Sequence, residues 1–203
     1  MQTIAQITGA GDNIVKPLMI RRGERGPYGS IEGHMAGLYN FFSDVTEKDN
    51  LLTGHSLGGL ASILFASENE VSRILLISPQ MGGRYDFRIS RRNYRESMHY
   101  WRNTGYQVRR DQSGNEYHLP WREYWKESFR YNAFERAAKI KGRVCVIAGK
   151  GDPYVDISLL RDFVNVCGNS AKLIEIECPH VPKDAGELKI LGDAIRTAKE
   201  YLS

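Results

Sequence analysis

A serine, an aspartate and a histidine, far apart in this chain, each sit in a tight turn beside an apolar run. Together they are the side chains that nucleophilic catalysis needs. The serine is Ser56, within Gly54-His55-Ser56-Leu57-Gly58-Gly59. Apolar runs stand on both sides of this hexapeptide, so its G-x-S-x-G pattern falls where a strand turns into a helix. Such a turn holds the serine in a strained backbone conformation that only small neighbours permit. Gly54 and Gly58 remove the side chains that would collide, and the Ser56 hydroxyl is lifted to the carboxyl edge of the sheet. The amide of Leu57, first in the helix, points toward a developing oxyanion. Without the strand-turn-helix context, the same residues are a glycine-rich turn with a capping serine.

A serine hydroxyl is a poor nucleophile at neutral pH and requires a neighbouring base. The expected chain order is serine, then acid, then histidine, the last two following later strands. Asp152 stands in Gly149-Lys150-Gly151-Asp152-Pro153, after the apolar run 143–148, and His180 in Cys178-Pro179-His180, after the run 172–177. Asp156 is a rival acid, but it is better placed to cap the helix that follows. Asp152 also reads as a plain turn residue, and His180 as a surface histidine. His34 and His55 precede or adjoin the nucleophile, and His99 and His118 lie in a different segment, so position selects His180. His55 reads as a structural neighbour in the turn.

These residues must be carried by an open sheet. Runs rich in Val, Ile and Leu at 50–53, 73–78, 143–148 and 172–177 predict strands buried on both faces, as in a parallel sheet. Shorter runs at 4–8 and 16–20 suggest further strands. Helices alternate with them. Ile31, Met35, Leu38 and Phe42 form one stripe behind a Ser30 cap. Residues 57–66 are apolar nearly all round, and Asp156 and Gly168 bracket a helix bearing Leu159, Leu160, Phe163 and Val164. Leu188, Leu191, Ile195 and Leu202 mark a final amphipathic helix. The class is α/β, a mostly parallel sheet flanked by helices.

The segment 82–139 breaks this alternation. It holds no buried strand, yet carries all three tryptophans, Trp101, Trp121 and Trp125, and seven of the eleven tyrosines. It reads as a mostly helical insertion, giving core 1–81, insertion 82–139 and core 140–203. With 13 Arg or Lys against 7 Asp or Glu, its balance is 13 − 7 = +6, against +4 for the whole chain. The three cysteines, Cys145, Cys167 and Cys178, form no CxxC pair and are too few for a metal cluster; Cys145 and Cys178 lie in or beside predicted core strands and read as buried thiols. No apolar run approaches the roughly 20 residues of a membrane span, and no leader-like segment opens the sequence, so a cytoplasmic location is expected.

At these motifs the chain resembles the α/β-hydrolase superfamily, particularly its esterase, lipase and serine-aminopeptidase-like branch. GHSLGG matches the nucleophile turn, and Ile147-Ala148-Gly149-Lys150-Gly151-Asp152 the strand and turn bearing the acid. Arg22-Gly23-Glu24-Arg25-Gly26 with Gly29-Ser30 is similar to an RGxGxS loop before the first large helix, and Tyr131-Asn132-Ala133-Phe134 to the return of a cap into the core. The resemblance implies an α/β-hydrolase fold with a helical cap. The His-Gly pair whose loop supplies a second oxyanion amide in that family has no counterpart here: either the N-terminal region is reduced relative to the family, or the second amide comes from elsewhere, around residues 9–11 or 22–23.

The expected chemistry is ester hydrolysis through an acyl-enzyme on Ser56, with His180 as general base, Asp152 orienting it and Leu57 donating to the oxyanion. Neither a metal nor an organic cofactor is needed. Trp101, Trp121 and Trp125 are candidate substrate-binding residues, and Arg84, Arg88, Arg91, Arg92 and Arg95 a candidate anion-attracting set. Packing of the insertion and a solvated charged face explain the same residues equally well. The expected substrate is a small-molecule aryl or short-chain acyl ester, with neither nucleic acid nor membrane as a partner. An acyltransferase or peptidase with the same triad, or a non-catalytic homologue, is the alternative.

Overall fold

The computed structural model describes residues 5–9, 31–42, 50–83, 92–110 and 116–203. In chain order the elements are β1 (Ala5–Gly9), α1 (Ile31–Phe42), β2 (Asn50–His55), α2 (Leu57–Glu68), β3 (Arg73–Ile77), α3 (Arg92–Thr104) and β4 (Tyr106–Arg110). There follow β5 (Glu116–Pro120), α4 (Trp121–Arg130), α5 (Ala133–Ala137), β6 (Arg143–Gly149), α6 (Ile157–Cys167), β7 (Ala171–Ile176) and α7 (Ala185–Leu202). The expected strand 16–20, the Ser30 cap, the RGxGxS loop at 22–30, and Arg84, Arg88 and Arg91 lie outside the described residues.

The apolar runs expected as buried strands are β2, β3, β6 and β7. They pair in parallel, each with the next, in a five-stranded sheet of order β1-β2-β3-β6-β7. Ile77 lies beside His55 and Ile147, and Gly149 beside Ile176, so these strands finish at one edge. Alternation along them sorts the core into two halves. Leu52, Ile74, Leu76, Val144, Val146 and Ala148 face helices α1, α2, α5 and α6. Leu51, Leu75, Cys145 and Ile147 face Ala194, Ala198 and Leu202 of α7.

Two expectations about burial are corrected. Strand β7 is not buried on both faces: among the described residues it pairs with β6 alone, and its residues are half-buried or exposed. The apolar stripe of α7 does not begin at Leu188, which is 59% exposed. Leu191 and Ile195 lie against the core beside the small residues Ala194 and Ala198, which let the helix approach the sheet closely.

Strand β1 matches the apolar run at 4–8, but it runs antiparallel to β2, with Ala5 opposite Gly54 and Gly9 opposite Asn50. Its last residue therefore lies at the edge away from Ser56. At ~3.3 Å per strand residue the separation is roughly 20 Å.

Between β3 and β6 the chain is not wholly helical. A two-stranded antiparallel hairpin of β4 and β5 stands between α3 and α4, with Tyr106 opposite Pro120. Period-two patterning over five residues is a weak signal beside the strongly amphipathic helices around it. The segment leaves and returns at one point. Gly82 bridges Asn132, and the amide of Ala133 donates to the Met81 carbonyl at 2.9 Å. Ala133 and Ala137 are already in the core, so α5 packs as part of it. Arg130 and Tyr131 also reach Glu32 of α1, at 2.5 and 3.3 Å.

Candidate active site

The turn between β2 and α2 is tied down on every side. Ser56 has φ 54° and ψ −121°, a conformation that non-glycine residues rarely adopt. Its amide donates to the Ile77 carbonyl at 3.1 Å, while its carbonyl accepts from the amides of Gly59, Leu60 and Gln80. These bonds join the turn to the end of β3 and hold the strained residue in place. A Cβ at Gly54 would lie 2.5 Å from the Gly58 carbonyl oxygen and 2.5 Å from Ser62 Oγ. Ser62 itself donates to that carbonyl at 2.8 Å. A Cβ at Gly59 would lie 2.6 Å from Pro79 Cβ, so the second glycine of the Gly-Gly pair admits the segment after β3.

The acid and the histidine arrive on two loops pressed together. A Cβ on Gly149 would run into the Cys178 carbonyl oxygen, so glycine there is what allows the loop after β7 to cross the end of β6. Asp152 Oδ1 accepts from the amides of Tyr154 at 2.7 Å and Val155 at 3.0 Å. Its Oδ2 faces His180 Nδ1 at 2.6 Å. Asp156 is occupied elsewhere, capping α6 through the Ser158 amide at 2.9 Å. Burial, the largest influence on Asp152, works to raise its pKa. The hydrogen bond and charge of His180, with the amides of Tyr154 and Val155, overcome it and hold the carboxyl below its ordinary value.

An ionised carboxylate only accepts, so the proton between this pair sits on His180 Nδ1. In the tautomer with its single proton on Nδ1, Nε2 is bare, the lone pair a general base needs. Among the described residues no hydrogen bond yet joins that ring to the Ser56 hydroxyl. Two further side chains adjoin the pair: His55, expected as a structural neighbour in the turn, and Tyr154, which sequence reasoning did not single out. His55 Nε2 lies 3.0 Å from the His180 carbonyl oxygen with its ring 4.8 Å from the His180 ring, and the Tyr154 ring stands edge-on to His180 at 5.1 Å. The only sequence signal for either was adjacency, one residue before Ser56 and two after Asp152.

Leu57 opens α2, where the first amides of a helix have no partner within it. The expected second donor at residues 9–11 loses Gly9 to the antiparallel direction of β1, and residues 10, 11, 22 and 23 lie outside the described residues. Trp101 is buried and meets Trp121 edge to face at 5.2 Å where α3 and α4 flank the hairpin. Trp125 lies on α4; its side chain, like those of Arg92 and Arg95 on α3, is outside the described residues. Burial pushes the thiol of Cys145 up to about 11 and that of Cys167 up to about 12, and raises Cys178 too.

No known family profile matches the sequence, and no curated protein matches it. Solved structures do. The esterase domain of a Rhodothermus marinus protein is 18% identical over 75% of this chain and 62% of its own, with a TM-score of 0.53. This chain thus spans under two thirds of that domain. A Paleococcus ferrophilus monoacylglycerol lipase is 16% identical, covering 87% of this chain and 78% of its own at TM-score 0.60. Mouse alpha/beta hydrolase domain-containing protein 10 is also 16% identical, over 90% and 73%, at TM-score 0.62. The chain has the α/β-hydrolase fold.

Proposed function

We propose that this chain is a serine hydrolase cleaving carboxylic esters through an acyl-enzyme on Ser56. The observation that carries the reading is the buried Asp152–His180 pair, 2.6 Å apart, on loops at the sheet edge where the strained Ser56 turn also ends. In the proposed first step the Ser56 hydroxyl oxygen bonds to the ester carbonyl carbon while His180 Nε2 takes the hydroxyl proton. Asp152 holds the imidazole and balances its new charge. The Leu57 amide donates to the carbonyl oxygen as it becomes negative. Collapse expels the alcohol, which leaves with the proton from His180. Water then attacks the acyl-enzyme by the same route and frees Ser56.

The aryl or short-chain acyl preference belongs to this proposal, as does a substrate-facing role for the aromatic segment containing Trp101, Trp121 and Trp125. An apolar wall with few polar groups suits a small ester. A non-catalytic homologue is the second reading, favoured by one observation: Gly9, an expected source of the second oxyanion amide, ends at the far edge of the sheet.

Fluorophosphonate labelling separates the two. A hydrolase forms a covalent adduct on Ser56 that mass spectrometry locates and that Ser56→Ala abolishes. Folded protein that stays unlabelled overturns the hydrolase reading. A series of p-nitrophenyl esters of increasing chain length then tests the substrate class, and rates rising with chain length would contradict the short-chain preference.

A further inference from the structure

The histidine one residue before the nucleophile makes two contacts that its place in the turn does not require. His55 Nε2 lies 3.0 Å from the backbone carbonyl oxygen of His180, 125 residues away, and the two imidazoles face each other at 4.8 Å with a 40° tilt. A carbonyl only accepts, so His55 Nε2 must carry the hydrogen. A single side chain thus links the nucleophile turn to the backbone of the residue proposed as the base. The ring of His180 is held separately, by Asp152. Without His55, the carboxylate would orient a ring whose own backbone could still move relative to Ser56.

We infer that His55, in its neutral Nε2–H form, is a positioning residue that fixes the distance between Ser56 and the imidazole of His180 by donating to the His180 carbonyl. The inference rests on the hydrolase reading above. The charge state of His55 suits the task. Burial first, and the neighbouring His180 second, push its pKa below the ordinary histidine value, against the opposing pull of its hydrogen bond and of Asp152. A neutral His55 places no second positive charge beside an imidazolium forming on His180. The serine–imidazole hydrogen bond itself would tighten once substrate binds, as hydrogen bonds in unliganded catalytic sites commonly do, with the His55 contact already holding the His180 backbone in place.

The test uses the full chain and its His55→Leu and His55→Gln variants. Leucine removes the donor, whereas the glutamine amide can reach the same carbonyl. Long-range proton–nitrogen spectra should find His55 protonated at Nε2 near neutral pH. Fluorophosphonate labelling of His55→Leu should slow by about 3- to 10-fold, the usual worth of one neutral hydrogen bond. With p-nitrophenyl acetate the loss should fall on kcat with KM held, and His55→Gln should recover most of it. Melting curves verify that each variant is folded. A proton on Nδ1 of His55 overturns the inference, as does equal labelling of wild type and folded His55→Leu. Should His55→Leu not fold, a folded His55→Gln labelled tenfold or more slowly than wild type overturns it. Wild type carrying the Nε2 proton yet never labelled overturns the hydrolase reading and the positioning role with it. Labelled wild type that is indifferent to His55 overturns the positioning role alone.

Discussion

Asp152 and His180 meet at 2.6 Å with their side chains almost wholly withdrawn from water, at 1% and 3% exposure. A pair so enclosed either works as a unit or is expensive to keep, because removing one partner leaves the other buried and unsatisfied. Asp152→Asn tests the working alternative. It keeps the shape but lets the imidazole carry its proton on the wrong nitrogen. The expected outcome is a fall in kcat of about 10³- to 10⁴-fold in ester hydrolysis, with a circular dichroism spectrum like that of wild type.

The same pair sets an acid limit on stability. The carboxyl of Asp152 is held below its ordinary value in the folded chain, so the folded state binds its proton less readily than the unfolded one. Its contribution is present above the unfolded value of about 3.9 and is lost as pH falls through the lower folded value. Urea melts between pH 6 and pH 2.5 should show stability declining toward acid, and Asp152→Asn should flatten that decline. An unchanged slope in the variant would assign the acid sensitivity to other carboxylates.

Backbone strain at Ser56 is separable from its hydroxyl. Ser56→Ala and Ser56→Gly both remove the nucleophile, but only glycine tolerates φ 54° without penalty. Ser56→Gly should be more stable than Ser56→Ala by about 1 kcal/mol. That corresponds to a melting temperature higher by about 2–4 °C in a chain of this size. Equal melting temperatures would mean that the turn stores no strain.

Gly149 governs the approach of the two loops. Gly149→Ala drives a methyl into the Cys178 carbonyl oxygen. Overpacking of this kind typically costs about 1–3 kcal/mol, which denaturant unfolding would measure. The displaced loop carries His180, so activity should fall further than stability, whereas Gly168→Ala, at the end of α6 with φ 72°, should affect stability alone.

The thiols should be quiet. With Cys145 pushed up to about 11 and Cys167 up to about 12, neither forms appreciable thiolate at pH 8. Ellman's reagent should react slowly with native protein and quickly once it is unfolded. Rapid reaction in the folded state would point to an opening that exposes β6 or the end of α6.

Much of the sheet was readable because its strands are continuous apolar runs punctuated by glycine. The runs around Leu52, Leu75 and Val146 became β2, β3 and β6, and the turns after them carry Ser56 and Asp152. The reading of Asp156 as a helix cap followed from capping chemistry, and its side chain does accept from the Ser158 amide, while Asp152 is the carboxylate that meets His180. Where the reading fell short, the missing quantity was direction or partnership in space. The run at 4–8 gives a strand but not its sense, and only pairing with β2 makes it antiparallel. Nothing local distinguishes Leu188 from Leu191, since both are apolar, until α7 is laid on the sheet. The contact of His55 with the His180 carbonyl spans 125 residues and has no periodic signature.

The sense of β1 has a practical corollary for engineering. Reversing one strand exchanges its ends, so the part of β1 level with the Ser56 edge is Ala5, opposite Gly54, while Gly9 lies level with Asn50. Grafting a tighter anion cradle onto this scaffold by rebuilding the glycine at position 9 would therefore be wasted effort. The amide of Gln80 is already committed to the Ser56 carbonyl. Donors introduced beside Ala5 would instead lie on the side of the sheet that carries Ser56.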